Sequence, residues 1–356
     1  MRLRTCGPLA TLVAALLGIV GCAATGTGPG KVATPGGPAW PDSLREPDPG
    51  PHLRGMIVIT QNAGNAVTFV NADTRRVFAY VPVGWNPHDI AVSPDQSRIY
   101  VVNYRGGQFG AGTISVLSST SRHEIDRLDF YPYGSFHGLA CARSGVYLYA
   151  ASETRRQVLE INLLSRLIER TFTLPHGMPH QVALDPTETR LYVTDATGPT
   201  LFAVSLTGGD VQETRVGNGP EGVAIAPDGS ALWVANRDDG TVTVLDPFTL
   251  VPILTTGSGR APVRIALDPD GNRAYVVNAG DGSVAIFDAR TRVRLGSVPV
   301  GTYPFGIALD PDGTRAYVAS THDDEISVID LKTNTVTDRI PVGPDPFGLV
   351  WVDGGR

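Results

Sequence analysis

The sequence predicts an all-β fold, a seven-bladed β-propeller of four-stranded antiparallel blades, and three observations predict it. First, one phrase recurs seven times: Pro-x-Gly-Ile-Ala-Leu-Asp-Pro-Asp-Gly, then Tyr-Val-x-Asn, a Gly-marked turn, and Val-x-Val-Ile-Asp, clearest at residues 262–288 and 304–330. Second, its alanine stands at Ala91, Ala140, Ala183, Ala224, Ala266 and Ala308, with Val350 in its place at the end, so the copies lie 49, 43, 41, 42, 42 and 42 residues apart. A fixed period in the low forties, built of short strands and turns, marks radial repetition. Third, the repeat begins and ends out of phase. Residues 56–60, 66–70 and 76–81 match strands two, three and four, while 347–352 match strand one alone. The last strand is therefore expected to complete the first blade and seal the ring, which leaves only short edges.

The elements of one copy follow from residue chemistry. In the unit from Pro304, residues 306–309 read as strand one, 316–320 as strand two, 326–330 as strand three and 336–342 as strand four, by alternation of apolar and polar side chains. Pro311-Asp312-Gly313 is a turn: Pro presets φ, Asp bonds its own backbone and Gly accepts positive φ. These Asp-Pro-Asp-Gly turns lack the regular acidic spacing of a calcium loop.

The N-terminal region reads differently. Arg2 and Arg4 precede an apolar run over 9–20, too short to span a bilayer comfortably and shaped like a signal-peptide core, so residues 1–21 are assigned as a signal peptide. Ile19-Val20-Gly21-Cys22 resembles a bacterial lipobox, which implies a lipidated Cys22 and, with Ala23 after it, an outer-membrane destination. Residues 22–54, rich in Gly, Pro, Thr and Ala, are read as a flexible tether, and 55–353 as the propeller. The chain has 29 Lys+Arg against 35 Asp+Glu, and removing the two signal arginines leaves 27 − 35 = −8. Net acidity argues against nucleic-acid partners. The expected partners are the membrane, through the lipid, and an envelope protein or a small ligand, with a monomeric chain. Of the three cysteines only Cys141 remains inside the fold, so no internal disulfide is available.

Tyr100-Val101-Val102-Asn103, Tyr192-Val193-Thr194-Asp195, Trp233-Val234-Ala235-Asn236 and Tyr275-Val276-Val277-Asn278 resemble the YVTN-repeat propellers of bacterial and archaeal surfaces, over residues 55–353. The resemblance implies seven blades. It implies no single activity, because such relatives include surface-layer, DNA-binding, redox-associated and lactonase-associated proteins. Residues 220–229 also look like the corresponding phrases of lyase and lactonase propellers.

Chemistry is sought in departures from the repeat. The residue three before each repeated alanine is His88, His137, His180, Glu221, Val263, Phe305 and Phe347, so three of the chain's seven histidines and a glutamate fall on four consecutive blades. This column sits at one channel mouth, opposite the Asp-Pro-Asp-Gly turns. His88, His137, His180 and Glu221 form a plausible donor set for zinc or copper. The plainer alternative is histidines that satisfy loop carbonyls. One residue further, Asp89, Gln181 and Arg264 replace the usual glycine; Arg264 is placed to pair with Glu221 or hold a carboxylate or phosphate ligand. A five-residue insertion enlarges the loop 104–112, with Arg105 and Phe109, on the same face. No Gly-x-Ser-x-Gly, His-Glu-x-x-His, Walker or Cys-x-x-Cys-His motif occurs. Two functions follow. The leading one is a tethered binding module using the His face, its ligand-binding surface made of Asp89, Gln181, Arg264, Phe305, Phe347, Arg105 and Phe109. The alternative is a metal-assisted hydrolase, lactonase or lyase, with the metal on His88, His137 and His180, Glu221 as general base or fourth ligand, and Arg264 holding substrate.

Overall fold

The computed structural model describes residues 45–50, 53–105 and 112–354. Seven four-stranded antiparallel sheets account for all 28 strands among these residues. The innermost strands are β4 (Trp85–Val92), β8 (Phe136–Cys141), β12 (Pro179–Leu184), β16 (Pro220–Ile225), β20 (Pro262–Leu267), β24 (Pro304–Leu309) and β28 (Pro346–Asp353). Blades are numbered from the one that β28 shares with β1 (Gly55–Gln61), β2 (Ala66–Asn71) and β3 (Arg76–Pro82), in the order β28-β1-β2-β3.

Closure is the expected one. Met56 lies opposite Val352, Val58 opposite Val350 and Ile59 opposite Leu349. The Thr60 hydroxyl accepts from the Gly348 N–H (2.9 Å) and donates toward the carbonyl of His88 (3.0 Å), so the seal reaches into blade two. Between blades, the second-strand aromatics Tyr100, Tyr192, Trp233, Tyr275 and Tyr317 are almost fully buried. Tyr317 of blade seven packs in one apolar cluster with Ile57, Ile59 and Val70 of blade one. Removing aromatic and aliphatic surface from water at every seam is the main stabilising term.

The turns behave as their residues require. Gly313 adopts φ +64°, a left-handed conformation that would strain a side chain. On the opposite face, the backbone N–H groups of Asn218, Arg260 and Thr302 donate to Asp239 (2.8 Å), Asp281 (2.6 Å) and Asp323 (2.6 Å). Each of those aspartates lies 21 residues on, so the same loop-to-loop tie recurs in three successive blades.

Part of the segment read as tether lies against the propeller. Glu46 accepts from Asn71 (2.8 Å) and Thr74 (2.8 Å), and Arg122 pairs with Asp48 (3.0 Å). Residues 1–44, on which the expected signal peptide, Cys22 and most of the expected tether fall, lie outside the described residues, as does Phe109. No helix among the described residues is long and apolar enough to cross a membrane.

Candidate functional site

Six of the seven inner strands enter the channel at a Pro and β8 at Phe136, and in each the next residue stands at the mouth. Around the ring these side chains touch in sequence. Phe305 stacks on Phe347 (centroids 3.8 Å), Phe347 on His88 (4.7 Å), His88 meets His137 edge-on (4.9 Å), and His137 stacks on His180 (3.6 Å). His180 Nε2 then lies 3.4 Å from Glu221 Oε1, an ion-pair distance without hydrogen-bond alignment. His137, His180 and Glu221 are buried, while His88 is partly exposed. Val263 completes the ring, fully buried.

A second column supports the first. Sixteen residues after each ring position (88 to 104, 137 to 153, 180 to 196, 221 to 237) stand Tyr104, Glu153, Ala196 and Arg237, and Asn62 is the equivalent in blade one. Antiparallel pairing of the first two strands brings these positions beside the ring. Asn62 Nδ2 meets His88 Nδ1 (2.6 Å), Tyr104 stacks on His88 (5.4 Å), Glu153 Oε1 lies 3.0 Å from His180 Nδ1, and Arg237 donates to Glu221 Oε2 (2.6 Å). The repeat period itself carried this signal.

One residue deeper, Asp89, Gln181 and Arg264 form a plug. Asp89 accepts from the Leu139 N–H (2.8 Å), Gln181 Nε2 (3.1 Å) and Arg264 Nη2 (3.0 Å). Arg264 therefore pairs with Asp89 across the channel and not with Glu221, whose cation is Arg237. Its guanidinium also lies 5.7 Å from the Phe305 ring centroid. Arg264 is thus an internal ion pair, neutralised and nearly buried, and not a free substrate clamp. The intervening glycines make the plug possible. A Cβ on Gly138 would come within 2.6 Å of the His180 carbonyl oxygen, and one on Gly348 within 2.5 Å of that of His88. Only Gly lets adjacent inner strands approach so closely.

The electrostatics divide the imidazoles. Burial lowers His88 to about 4, with His180 adding to the effect, and burial drives His137 well below its usual value. Burial also penalises a charge on His180, but its contacts with Glu153 and Glu221 outweigh that and raise its pKa. Glu221 is desolvated, yet His180 and Arg237 hold it below the usual carboxylate range. Burial thus disfavours the charged forms of His88 and His137, while the two carboxylates favour that of their neighbour His180. Asn62 donates to His88 Nδ1, which leaves His88 Nε2 as the protonated, donating nitrogen.

Among the described residues, His137, Glu153 and His180 each offer one ligand atom, and these lie within 4.8 Å of one another. Glu153 was not among the donors expected from sequence; of those that were, His88 has its Nδ1 engaged by Asn62 and Glu221 its Oε2 by Arg237. Arg105 is exposed at the end of its strand, β5 (Arg98–Arg105). His176 sits outside the ring beside Glu213 (3.0 Å), and His322 stacks on Tyr303 (4.7 Å); neither joins the site.

The family described as "Lactonase, 7-bladed beta-propeller" matches residues 78–339, well over half of the chain. No curated protein sequence matches it. Solved structures share the fold at low identity. A functionally unknown protein from Desulfotomaculum acetoxidans has a TM-score of 0.72 at 14% identity, covering 84% of this chain and 99% of its own. The Kuenenia stuttgartiensis hydrazine synthase chain has 0.68 at 19%, covering 82% and 99%. A Bacteroides fragilis protein described as a candidate 6-phosphogluconolactonase has 0.69 at 19%, covering 86% and 100%.

Proposed function

The chain belongs to the seven-bladed β-propeller lactonase family, and from that premise we propose that its His-bearing face hydrolyses a small cyclic ester. The observation that carries this reading is convergence. The rings of His88, His137 and His180 meet in mutual contact beside Glu221, and His137 Nδ1 is buried without a hydrogen-bond partner. Histidines serving only to satisfy loop carbonyls would have their nitrogens used up. Titratable neighbours pushed in opposite directions at one cleft are a recurrent mark of proton-transfer sites.

In this reading Glu221, held ionised, accepts the proton of the attacking water. Neutral His88 offers its Nε2–H to the oxygen that gains negative charge. Arg237, bonded to Glu221 and partly exposed, holds that carboxylate in position. The test is turnover of a panel of sugar and aliphatic γ- and δ-lactones by purified protein, followed by acid release. Wild type should open at least one ring above the buffer rate, and Glu221→Gln should lose at least about 100-fold, the lower range for general acid–base catalysis. A panel opened only at the buffer rate contradicts the reading.

A second reading, a ligand- or protein-binding module, has its own support. The stacked rings fill the mouth, and Arg264 spends its charge on Asp89. In either case we propose YVTN-type repeats on an extracytoplasmic lipoprotein, anchored through Cys22.

A further inference from the structure

We propose that His137, Glu153 and His180 form a buried site for one first-row divalent cation, with zinc the best fit. The inference names the chemistry of the site just described but does not depend on hydrolysis. His137 comes from the inner strand of blade three, Glu153 from the turn directly after that blade's second strand (Tyr147–Ser152), and His180 from the inner strand of blade four, so the ion would bridge a blade seam.

Three features carry it. The three ligand atoms lie within 4.8 Å of one another, and His180 Nδ1 is 3.0 Å from Glu153 Oε1. Zinc bonds of about 2.0–2.1 Å in a tetrahedron put neighbouring ligands about 3.3–3.4 Å apart, so small side-chain shifts admit the ion. His137 is 4% exposed, and its Nδ1 has no hydrogen-bond partner. An orphaned buried nitrogen costs free energy unless something binds it. Two imidazoles and one carboxylate, with the fourth position open, is a recurrent zinc arrangement in hydrolytic sites. An outer contact helps fix the donors: Glu221 stands beside His180.

The full-length protein, stripped with chelator and titrated with zinc alone, tests this. Wild type should retain one equivalent after desalting, and cobalt in its place should give the intense visible bands of a four-coordinate ion. Glu153→Gln and His137→Gln should each weaken zinc binding at least 100-fold, whereas His88→Gln should change it less than threefold. Background zinc on folded wild type overturns the proposal. So does Glu153→Gln binding as wild type does, or His88→Gln losing as much as Glu153→Gln. Were the variants to misfold, weak octahedral cobalt bands from wild type would overturn it on their own. Lactone turnover by protein that binds no zinc would leave the proposed function standing while this site failed; tight zinc binding without turnover would do the reverse.

Discussion

Replacing Asp89 by Ala should destabilise the propeller more than any other single change in the channel. Asp89 holds three groups: Arg264 at 3.0 Å, Gln181 at 3.1 Å and the Leu139 N–H at 2.8 Å. The Asp89 and Arg264 side chains are 8% and 11% exposed, so solvent screens the pair little. Removing one member of such a pair leaves an uncompensated buried charge and costs about 3–5 kcal/mol. The orphaned Leu139 N–H falls within that range, because an unmade buried bond costs about 1–3 kcal/mol. Unfolding entropy of about 2.1 cal/mol/K per residue, over roughly 300 propeller residues, is about 0.6 kcal/mol/K, so the midpoint should fall by about 5–8 °C. Adding Arg264→Met should recover about 2 kcal/mol, since the lone charge is then gone. Circular dichroism melts of wild type, both singles and the double variant read this directly. A single Asp89→Ala midpoint within about 1 °C of wild type, or strictly additive effects, would refute the cross-channel plug.

Three further outcomes are expected. Deleting 346–356 removes β28 and its pairing with β1, so the truncated chain should lose its cooperative melting transition; an unchanged melt would refute closure. Asp246, Asp288 and Asp330 each accept the backbone N–H and hydroxyl of the threonine three residues on, and these bonds lower their pKa. A folded-state pKa below the unfolded one gives stability that is complete above about pH 4 and lost as pH falls through that range. The triple Asn variant should therefore show a shallower acid limb in midpoint against pH, and an identical limb would contradict the assignment. Expressed with its N-terminal region in a bacterial host, the protein should incorporate labelled palmitate and Cys22→Ser should abolish it; labelling that survives the substitution would sink the anchor proposal.

Much of the ring was legible because a repeat places equivalent residues at equivalent points. His88, His137, His180 and Glu221 could be aligned in one column from the sequence, and in the structure they meet. Glu153 escaped because its blade spells the second strand Tyr147-Leu148-Tyr149-Ala150-Ala151-Ser152, without the Tyr-Val-x-Asn ending that marks the position elsewhere. Its place was still encoded, sixteen residues after His137. The partner of Arg264 was a different kind of problem. Which carboxylate a long side chain reaches across a channel depends on how closely the inner strands pack, and Gly138, Gly222, Gly306 and Gly348 set that approach. Arg237 had already neutralised Glu221 from within its own blade.

Diffraction at the zinc absorption edge, from crystals of the full-length protein grown with zinc, tests the central claim most directly. The account predicts one strong anomalous peak at the mouth, about 2.0–2.1 Å from a ring nitrogen of His137 and of His180, with a carboxylate oxygen of Glu153 completing the set. Imidazoles turned toward separate carbonyls, with no peak between them, would contradict it.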